Sequence, residues 1–337
     1  MLIDHGIKST IQAMLEHPTL HGKQCLNAKQ GKRHCTNCVG VCPNHCIQDA
    51  QKEQAEFSNC ENCGLCASVC PTHAIGWSRE NSRVFSSMVM QEKKEPTLRC
   101  SMVSGAGERV TCLAAVPWEM LAAPTFRGSF TLLHGDCASC RFADKMYIFE
   151  SALTRARTFL GEKQQMRICV KRQDTPDSVS RRQMFGSLFN RAKQVVYDPE
   201  MTEIGASGRL PRTLLLTAVR LYAKEEPCWE APDIGNLCWA CGVCTSVCPQ
   251  NAIQLEKTDQ GWKLTCLPRR CVSCGVCEAV CPEGAIQGTK TVHGPFSVQV
   301  QADRCEICGA PIKPGSGKHC MRCEAKAVNR PKKIVKY

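Results

Sequence analysis

Residues 238–287 read CWACGVCTSVCPQNAIQLEKTDQGWKLTCLPRRCVSCGVCEAVCPEGAIQ. This stretch contains the spacing CxxCxxCxxxCP twice, from Cys238 to Pro249 and from Cys271 to Pro282. Three thiolates with two residues between successive cysteines converge on one metal centre from a tight loop. The fourth cysteine, after three more intervening residues, points away. The proline ends the loop because it has no N–H and disfavours helix before it. The stretch therefore predicts two cysteine-ligated metal centres.

The same spacing recurs near the N-terminus. CENCGLCASVCP runs intact from Cys60 to Pro71, and an altered copy keeps Cys35, Cys38 and Cys42 but has its remaining cysteine ten residues upstream, at Cys25. In every copy the chain continues two residues past the proline to an Ala-Ile or Cys-Ile pair, which begins at Cys46, Ala74, Ala252 or Ala285. The chain thus contains four related units grouped in two pairs.

This pattern resembles the bacterial two-cluster ferredoxins, in which the fourth cysteine of each motif completes the cluster of the other motif. The resemblance implies four [4Fe–4S] clusters. In the C-terminal pair the implied ligand sets are Cys238, Cys241, Cys244 and Cys281, and Cys271, Cys274, Cys277 and Cys248. In the N-terminal pair they are Cys60, Cys63, Cys66 and Cys42, and Cys25, Cys35, Cys38 and Cys70. The last set departs from the family, because nine residues separate Cys25 from Cys35.

Cys46 is an alternative ligand in the N-terminal pair. It occupies the position that alanine has in the other three copies. We therefore expect Cys46 to be a small buried residue beside the cluster rather than a ligand. Cys169, Cys228 and Cys266 have no partner cysteine at ligand spacing, and we interpret them as structural.

The tail carries two CxxC knuckles eleven residues apart, formed by Cys305, Cys308, Cys320 and Cys323. Two pairs of thiolates suit tetrahedral zinc, and the tail resembles a short zinc ribbon. An iron–sulfur cluster in the tail is the alternative, since some iron–sulfur subunits of molybdopterin enzymes use a related cysteine spacing. A tail without bound metal is the third possibility.

The segment between the two pairs predicts a small parallel α/β unit, because strands alternate with helices. The predicted strands are Arg109–Ala115, Ser129–His134 and Met166–Val170. The predicted helices are Pro117–Ala123 and a longer one from Ala143, with Phe149, Leu153, Ala156 and Leu160 on one face and Gly161 as its stop.

Four further cysteines, Cys100, Cys112, Cys137 and Cys140, lie in this segment. Cys137 and Cys140 follow a predicted strand, where open α/β sheets carry their sites. The sequence around these two cysteines, including Gly135-Asp136-Cys137, resembles part of the small iron–sulfur delta subunit of methanogen hydrogenase–heterodisulfide reductase complexes. We expect a fifth iron–sulfur centre here; buried inert thiols are the alternative. We interpret His134 as a strand-end residue rather than a ligand.

The predicted fold class is α+β, with two ferredoxin-like dicluster modules flanking the small parallel α/β domain and a zinc-ribbon-like tail. The predicted boundaries are residues 1–93 for the N-terminal module, 94–172 for the α/β domain, 173–227 for a basic helical connector, 228–302 for the C-terminal module and 303–337 for the tail. The connector is expected to hold two amphipathic helices, one around Gln183–Val195 and one opening at Pro211.

Charge and hydropathy exclude several functional classes. The formal net charge is 43 − 31 = +12, but this counts every cysteine as a neutral thiol. Six centres with four thiolates each contribute about −12 in total and bring the metal-loaded protein to roughly zero net charge. Nucleic acid is therefore not an expected partner. No apolar run suits a transmembrane helix, and the start lacks signal-peptide features, so we expect a cytoplasmic protein that meets any membrane-bound complex through a partner.

The sequence as a whole predicts an electron-transfer subunit and not an enzyme, because no nucleotide-binding loop or catalytic constellation with a local signature is visible. It resembles the iron–sulfur subunits that accompany molybdopterin or tungstopterin oxidoreductases and hydrogenases in anaerobes. The resemblance implies two partners, a catalytic redox subunit and a second electron carrier. The alternatives are an enzyme that reduces a disulfide or sulfur compound at the central cysteines and, third, a nucleic-acid-binding iron–sulfur protein.

Overall fold

The computed structural model describes residues 18–27, 35–47, 59–90, 95–173 and 210–328. The chain divides into two compact units, Met1–Cys228 and Trp229–Tyr337. One repeat pair belongs to each unit, and the first unit also contains the central α/β segment. Within the described ranges, no helix combines the length and the apolar character needed to cross a membrane.

Two short helices follow cysteines of the N-terminal loops, α1 Asn37–Val41 and α2 Leu65–Ser68. Helix α1 stops at Cys42, whose extended backbone leads into the proline. An antiparallel bridge between Leu20 and Ile75 joins the segment before the first loop to the segment after the second. The two ends of the repeat pair are therefore held together. Helix α3, Arg79–Met90, follows and buries its apolar face.

The central sheet has four parallel strands in the order β2-β1-β3-β4. The strands are β1 Thr97–Cys100, β2 Glu108–Val110, β3 Phe130–His134 and β4 Ile168–Arg172. Leu98, Phe130 and Leu132 are completely buried, so the sheet contributes much of the core of this unit. The prediction of a parallel sheet in a mixed α and β architecture is confirmed.

The strands differ from the prediction at two places. Strand β1 was not predicted, because four residues with Arg99 among them are too short to show an alternating pattern. The predicted strand Arg109–Ala115 is wrong in its second half, since the chain leaves the sheet after Val110 and Leu113–Ala115 forms a 3-10 turn. The Cys112 side chain caps this turn by accepting the N–H of Ala114.

The first unit has three further helices, α4 Trp118–Ala122, α5 Met146–Gln165 and α6 Leu210–Tyr222, and α4 packs against both α5 and α6. The expected inner face of α5 is buried at Phe149, Ala156 and Leu160, whereas Leu153 is half-buried. Gly161, with φ of 71°, interrupts α5 as expected, but helical turns resume and reach Gln165. Helix α6 matches the helix predicted at Pro211 and packs against α3 and α4. The helix predicted around Gln183–Val195 lies outside the described residues.

The second unit contains two antiparallel sheets, β5 with β8 and β6-β7-β9. Its elements in chain order are β5 Trp229–Ile234, α7 Val243–Val247, β6 Ile253–Thr258, β7 Gly261–Cys266, α8 Val276–Ala279, β8 Ile286–Val292 and β9 Phe296–Val300. Ile253, Leu264 and Ile286 are buried together in one core cluster, beside the cysteine loops.

The tail adds a two-stranded hairpin, β10 Asp303–Arg304 with β11 Pro311–Ile312, and helix α9 Met321–Val328. Its core consists of Cys305, Ile312 and Cys323. So few buried apolar groups give little folding free energy, and a bound metal would supply the rest.

Candidate metal centres

Residues with positive φ shape the cysteine loops. In three loops the residue before the second cysteine and the glycine after it both adopt this conformation: Asn62 and Gly64, Ala240 and Gly242, and Ser273 and Gly275. Consecutive N–H groups in such a turn point to one side and favour negative charge there. The N–H of Asn62 donates to Cys60 Sγ at 3.4 Å, and that of Ser273 to Cys271 Sγ at 3.4 Å.

The Ala-Ile or Cys-Ile pair after each loop has a structural explanation. Its first residue donates its backbone N–H to the sulfur of the fourth cysteine in all four copies. The donor–acceptor pairs are Cys46 to Cys42 at 3.3 Å, Ala74 to Cys70 at 3.2 Å, Ala252 to Cys248 at 3.2 Å, and Ala285 to Cys281 at 3.2 Å. The residue before each donor has positive φ, which directs the N–H back to the sulfur. Each fourth cysteine is thus prepared to carry a negative charge.

One C-terminal quartet lines a cavity that opens to solvent. The quartet is Cys238, Cys241, Cys244 and Cys281. Burial raises the pKa of Cys244 to about 12, with further contributions from the other three sulfurs. Thiols this close together lose their protons jointly only when a metal cation compensates the charge, so the site suits an iron–sulfur cluster.

The other C-terminal quartet is Cys271, Cys274, Cys277 and Cys248. Burial raises the pKa of Cys277 to about 12, and Cys271, Cys274 and Cys248 raise it further. Cys248 belongs to the first loop of the pair and approaches the sulfurs of the second. This exchange of the fourth cysteine is the arrangement that the resemblance implies.

The N-terminal unit repeats this arrangement. Cys42, Cys60, Cys63 and Cys66 line a second cavity that opens to solvent. Burial raises the pKa of Cys66 well above its ordinary value, and the sulfurs of Cys63, Cys60 and Cys42 add to the effect. For the remaining quartet, burial raises the pKa of Cys38 to about 11, with contributions from Cys70, Cys35 and Cys25.

Asn27 explains how Cys25 reaches its quartet despite the insert. Its Oδ1 accepts the N–H of Cys35 at 2.7 Å, and its Nδ2 donates to the carbonyl of Cys35 at 3.0 Å. This two-point contact holds the segment with Cys25 against the start of the next loop. Spacing alone does not reveal the role of Asn27.

The two modules also approach their first loop in the same way. The N–H of His21 donates to the Ala74 carbonyl at 2.7 Å, and the N–H of Gly235 donates to the Ala285 carbonyl at 2.7 Å. Cys25 follows His21 by four residues, and Cys238 follows Gly235 by three. The structure therefore places Cys25 where Cys238 lies in the intact module.

Two cysteines outside the predicted sets lie beside them. Cys46 is buried and lines the cavity of the Cys42 quartet, in keeping with the expected small buried residue. Cys266, which has no exposed surface, lies at the end of β7 near Cys271, Cys277 and Cys248. Burial raises the pKa of Cys266 to about 12, with further contributions from these three sulfurs. Its proximity depends on strand pairing, which its spacing in the sequence does not show.

The central cysteines meet at one edge of the parallel sheet. Cys100 ends β1, Cys112 lies two residues past β2, and Cys137 and Cys140 follow β3. These three strands are neighbours, and parallel strands end at the same edge. Burial raises the pKa of Cys112 to about 11, and the sulfurs of Cys140, Cys100 and Cys137 raise it further. All four predicted residues are therefore brought together.

His134 is the last residue of β3, and its Nδ1 lies 3.5 Å from Cys137 Sγ and 2.9 Å from the Gly135 carbonyl oxygen. The ring is thus a neighbour of the quartet. Asp136 pairs with Arg172 at 3.4 Å, so a cation also stands next to this edge.

The tail quartet is the tightest. The Sγ atoms of Cys305, Cys308, Cys320 and Cys323 all lie within 4.8 Å of one another, and those of Cys308 and Cys320 are 3.6 Å apart. Backbone N–H groups of Cys320, Cys308 and Ile307 lower the pKa of Cys305 to about 6. Four sulfurs around zinc, with bonds of about 2.3 Å, lie about 3.8 Å apart. The spacing in the tail suits one ion better than a cubane, which separates its four thiolates by iron and sulfide.

Comparison with known families identifies two iron–sulfur regions. A 4Fe-4S dicluster domain matches residues 237–285, and a 4Fe-4S binding domain matches residues 56–76. No curated protein matches the chain. The two matched regions coincide with cysteine loops described above, and they imply that the chain carries out iron–sulfur electron transfer.

Proposed function

We propose that this chain is an iron–sulfur electron-transfer subunit that relays single electrons within a multi-subunit oxidoreductase complex. The observation that carries the proposal is the repeated cysteine site, in which thiols share a cavity and backbone N–H groups are directed at their sulfurs. The four ferredoxin-type ligand sets hold four [4Fe–4S] clusters, and each cluster accepts and releases one electron.

The protein groups around each cluster determine its response to an added electron. The N–H donors from Cys46, Ala74, Ala252 and Ala285 offset negative charge on the fourth cysteine of each motif. Burial acts in the opposite direction, because it disfavours charge. The balance of these two effects sets the potential at which each site is reduced.

The two remaining quartets have different roles in the proposal. The central set at the sheet edge holds a fifth iron–sulfur centre, supported by the convergence of Cys100, Cys112, Cys137 and Cys140. The tail holds zinc, supported by its short sulfur–sulfur distances. Zinc has no redox chemistry in proteins, so the tail is structural.

The proposed partners are a catalytic redox subunit, of the molybdopterin, tungstopterin or hydrogenase class, and a second electron carrier. A protein that only conducts electrons requires one donor and one acceptor. Each compact unit has its own pair of ferredoxin-type quartets, which gives the chain two regions for exchange with partners.

Anaerobic purification of the full chain tests the cofactor content. Four clusters give about 16 iron atoms, the central set adds about two to four, and the tail adds one zinc. A preparation with about eight iron atoms would contradict the N-terminal half of the proposal.

Native co-purification under anaerobic conditions tests the partners, and a redox enzyme recovered with the chain is the expected result. Reduction of a disulfide or sulfur compound by the isolated chain at catalytic rates would instead make it an enzyme.

A further inference from the structure

An ion pair connects the central cysteines to an N-terminal cluster loop. Arg141 directly follows Cys140, and Glu61 lies between Cys60 and Cys63 in the loop. The Arg141 guanidinium donates from Nη1 to Glu61 Oε1 at 3.1 Å and from Nη2 to Oε2. Both side chains are largely exposed, so the pair adds little stability. Its two-point geometry nevertheless fixes the position of the cation.

A second contact joins the same two sites through the backbone. The Ser68 hydroxyl, at the end of α2, donates to the carbonyl of Ala114 at 3.1 Å. The N–H of Ala114 in turn donates to Cys112 Sγ at 3.4 Å. Ser68 is two residues from Cys66, so a short hydrogen-bonded path runs from one cysteine loop to a sulfur of the other site.

A third contact shows how closely the loops approach. Helix α2 packs against the 3-10 turn Leu113–Ala115 that Cys112 caps. A Cβ atom at Gly64, between Cys63 and Cys66, would lie 3.5 Å from the Cβ of Ala115. The loop and the turn are thus in direct contact at this position.

Arg141 is also close to sulfurs of both sites. It directly follows Cys140 in the chain, and its partner Glu61 directly follows Cys60. One cation therefore neighbours a sulfur of each site.

We propose that the central site and the Cys42, Cys60, Cys63 and Cys66 site exchange electrons directly, with Arg141 as their shared counter-charge. The inference rests on the proposed function, in which both quartets hold clusters. The step transfers one electron from the reduced centre to the oxidised one and makes or breaks no bond; the electron comes from the reduced redox partner.

The order of centres in this unit follows from the contacts. The Cys42 quartet is paired, through the exchanged fourth cysteines, with the quartet of Cys25, Cys35, Cys38 and Cys70. The Cys42 quartet also adjoins the central site. The Cys42 site is therefore the middle centre of three. A positive charge shared by two clusters favours the reduced state of each, so its removal lowers both potentials.

EPR of the anaerobic, chemically reduced full chain tests direct coupling. The signal of the Cys42 site is identified as the one lost in Cys66→Ser. In a variant with both Cys137→Ser and Cys140→Ser, we expect a loss of about two to four iron atoms, with this signal retained but relaxing more slowly. Iron content equal to the parent would contradict the fifth centre itself. Loss of iron with unchanged relaxation would leave the fifth centre in place and overturn the coupling.

Redox titration of charge variants tests the role of Arg141. Arg141→Gln should lower the potentials of both sites, and Arg141→Lys should restore most of the shift. The matched control is Arg172→Gln, since Arg172 pairs with Asp136, the residue before Cys137; it should shift the central site alone. A shift confined to the central site in Arg141→Gln would overturn the shared counter-charge.

Discussion

At the residue scale, Cys46 is where one N-terminal repeat departs from the other three. Its backbone N–H reaches Cys42 Sγ, as alanine does in the other copies, but it also brings a thiol into the cavity. Burial raises the pKa of Cys46 to about 11, with a contribution from Cys42. Its side chain donates to the Asn44 carbonyl at 3.9 Å. Cys46 thus places a polar S–H group beside the ligand sulfurs.

Replacing Cys46 with alanine should leave the iron content unchanged and lower the potential of the Cys42 site. A methyl group solvates the more negative, reduced cluster less well than the polar thiol does, whereas the backbone N–H remains. Potentiometric EPR measures the shift, and Cys42→Ser, with loss of about four iron atoms, is the matched comparison. Loss of about four iron atoms from Cys46→Ala would instead make Cys46 a ligand.

Gly64 has a backbone conformation that favours glycine, and neighbouring side chains pack closely around it. Its φ is 84°, and a Cβ atom would lie 2.9 Å from Asn81 Nδ2 and 3.3 Å from Trp77. Gly275, at the same place in another loop, has φ of 69° and open space around it. Both alanine variants incur about 1–2 kcal/mol of backbone strain. Gly64→Ala should lose its cluster faster than Gly275→Ala, as followed by anaerobic visible absorbance in denaturant. Equal rates would show that the packing at Gly64 is unimportant.

At the element scale, the tail is a hairpin and a helix that bring four cysteines together. Its link to the adjoining module includes Lys313 Nζ, which lies 2.9 Å from Glu283 Oε2. Because Cys305, Ile312 and Cys323 form so small a core, we expect the tail to depend on the proposed zinc for folding.

The variant Cys320→Ser should therefore release one zinc and leave the iron content unchanged. Metal analysis of anaerobic protein measures both metals in one sample. Cys274→Ser, which should lose iron and keep zinc, is the reciprocal control. Loss of about four iron atoms from Cys320→Ser would show a cluster in the tail.

At the scale of the whole molecule, the proposed metal centres should balance the basic excess. The formal charge of +12 applies to neutral thiols. Six four-thiolate centres add about −12, so the loaded protein should be close to neutral.

Metal removal should consequently change the ion-exchange behaviour of the chain. At about pH 7 the metal-free protein, with nearly all of its thiols protonated, should bind a cation exchanger more tightly than the anaerobic loaded protein. Salt concentration at elution is the measurement, with a chelator-treated and reconstituted sample as the control. Equal elution of the two forms would contradict the charge balance.

The sequence by itself determined the ferredoxin-type loops, because ligand spacing and the positive-φ glycines act within about twelve residues of chain. It also indicated the parallel sheet and helices α4, α5 and α6, whose apolar patterns are local. Only the tertiary structure decided which distant residues meet. Strand order brings Cys100, Cys112 and Cys137 to one edge, β7 brings Cys266 beside the Cys271 loop, and Arg141 meets Glu61 across eighty residues. These contacts depend on pairing and packing between separate elements, and no local spacing encodes them.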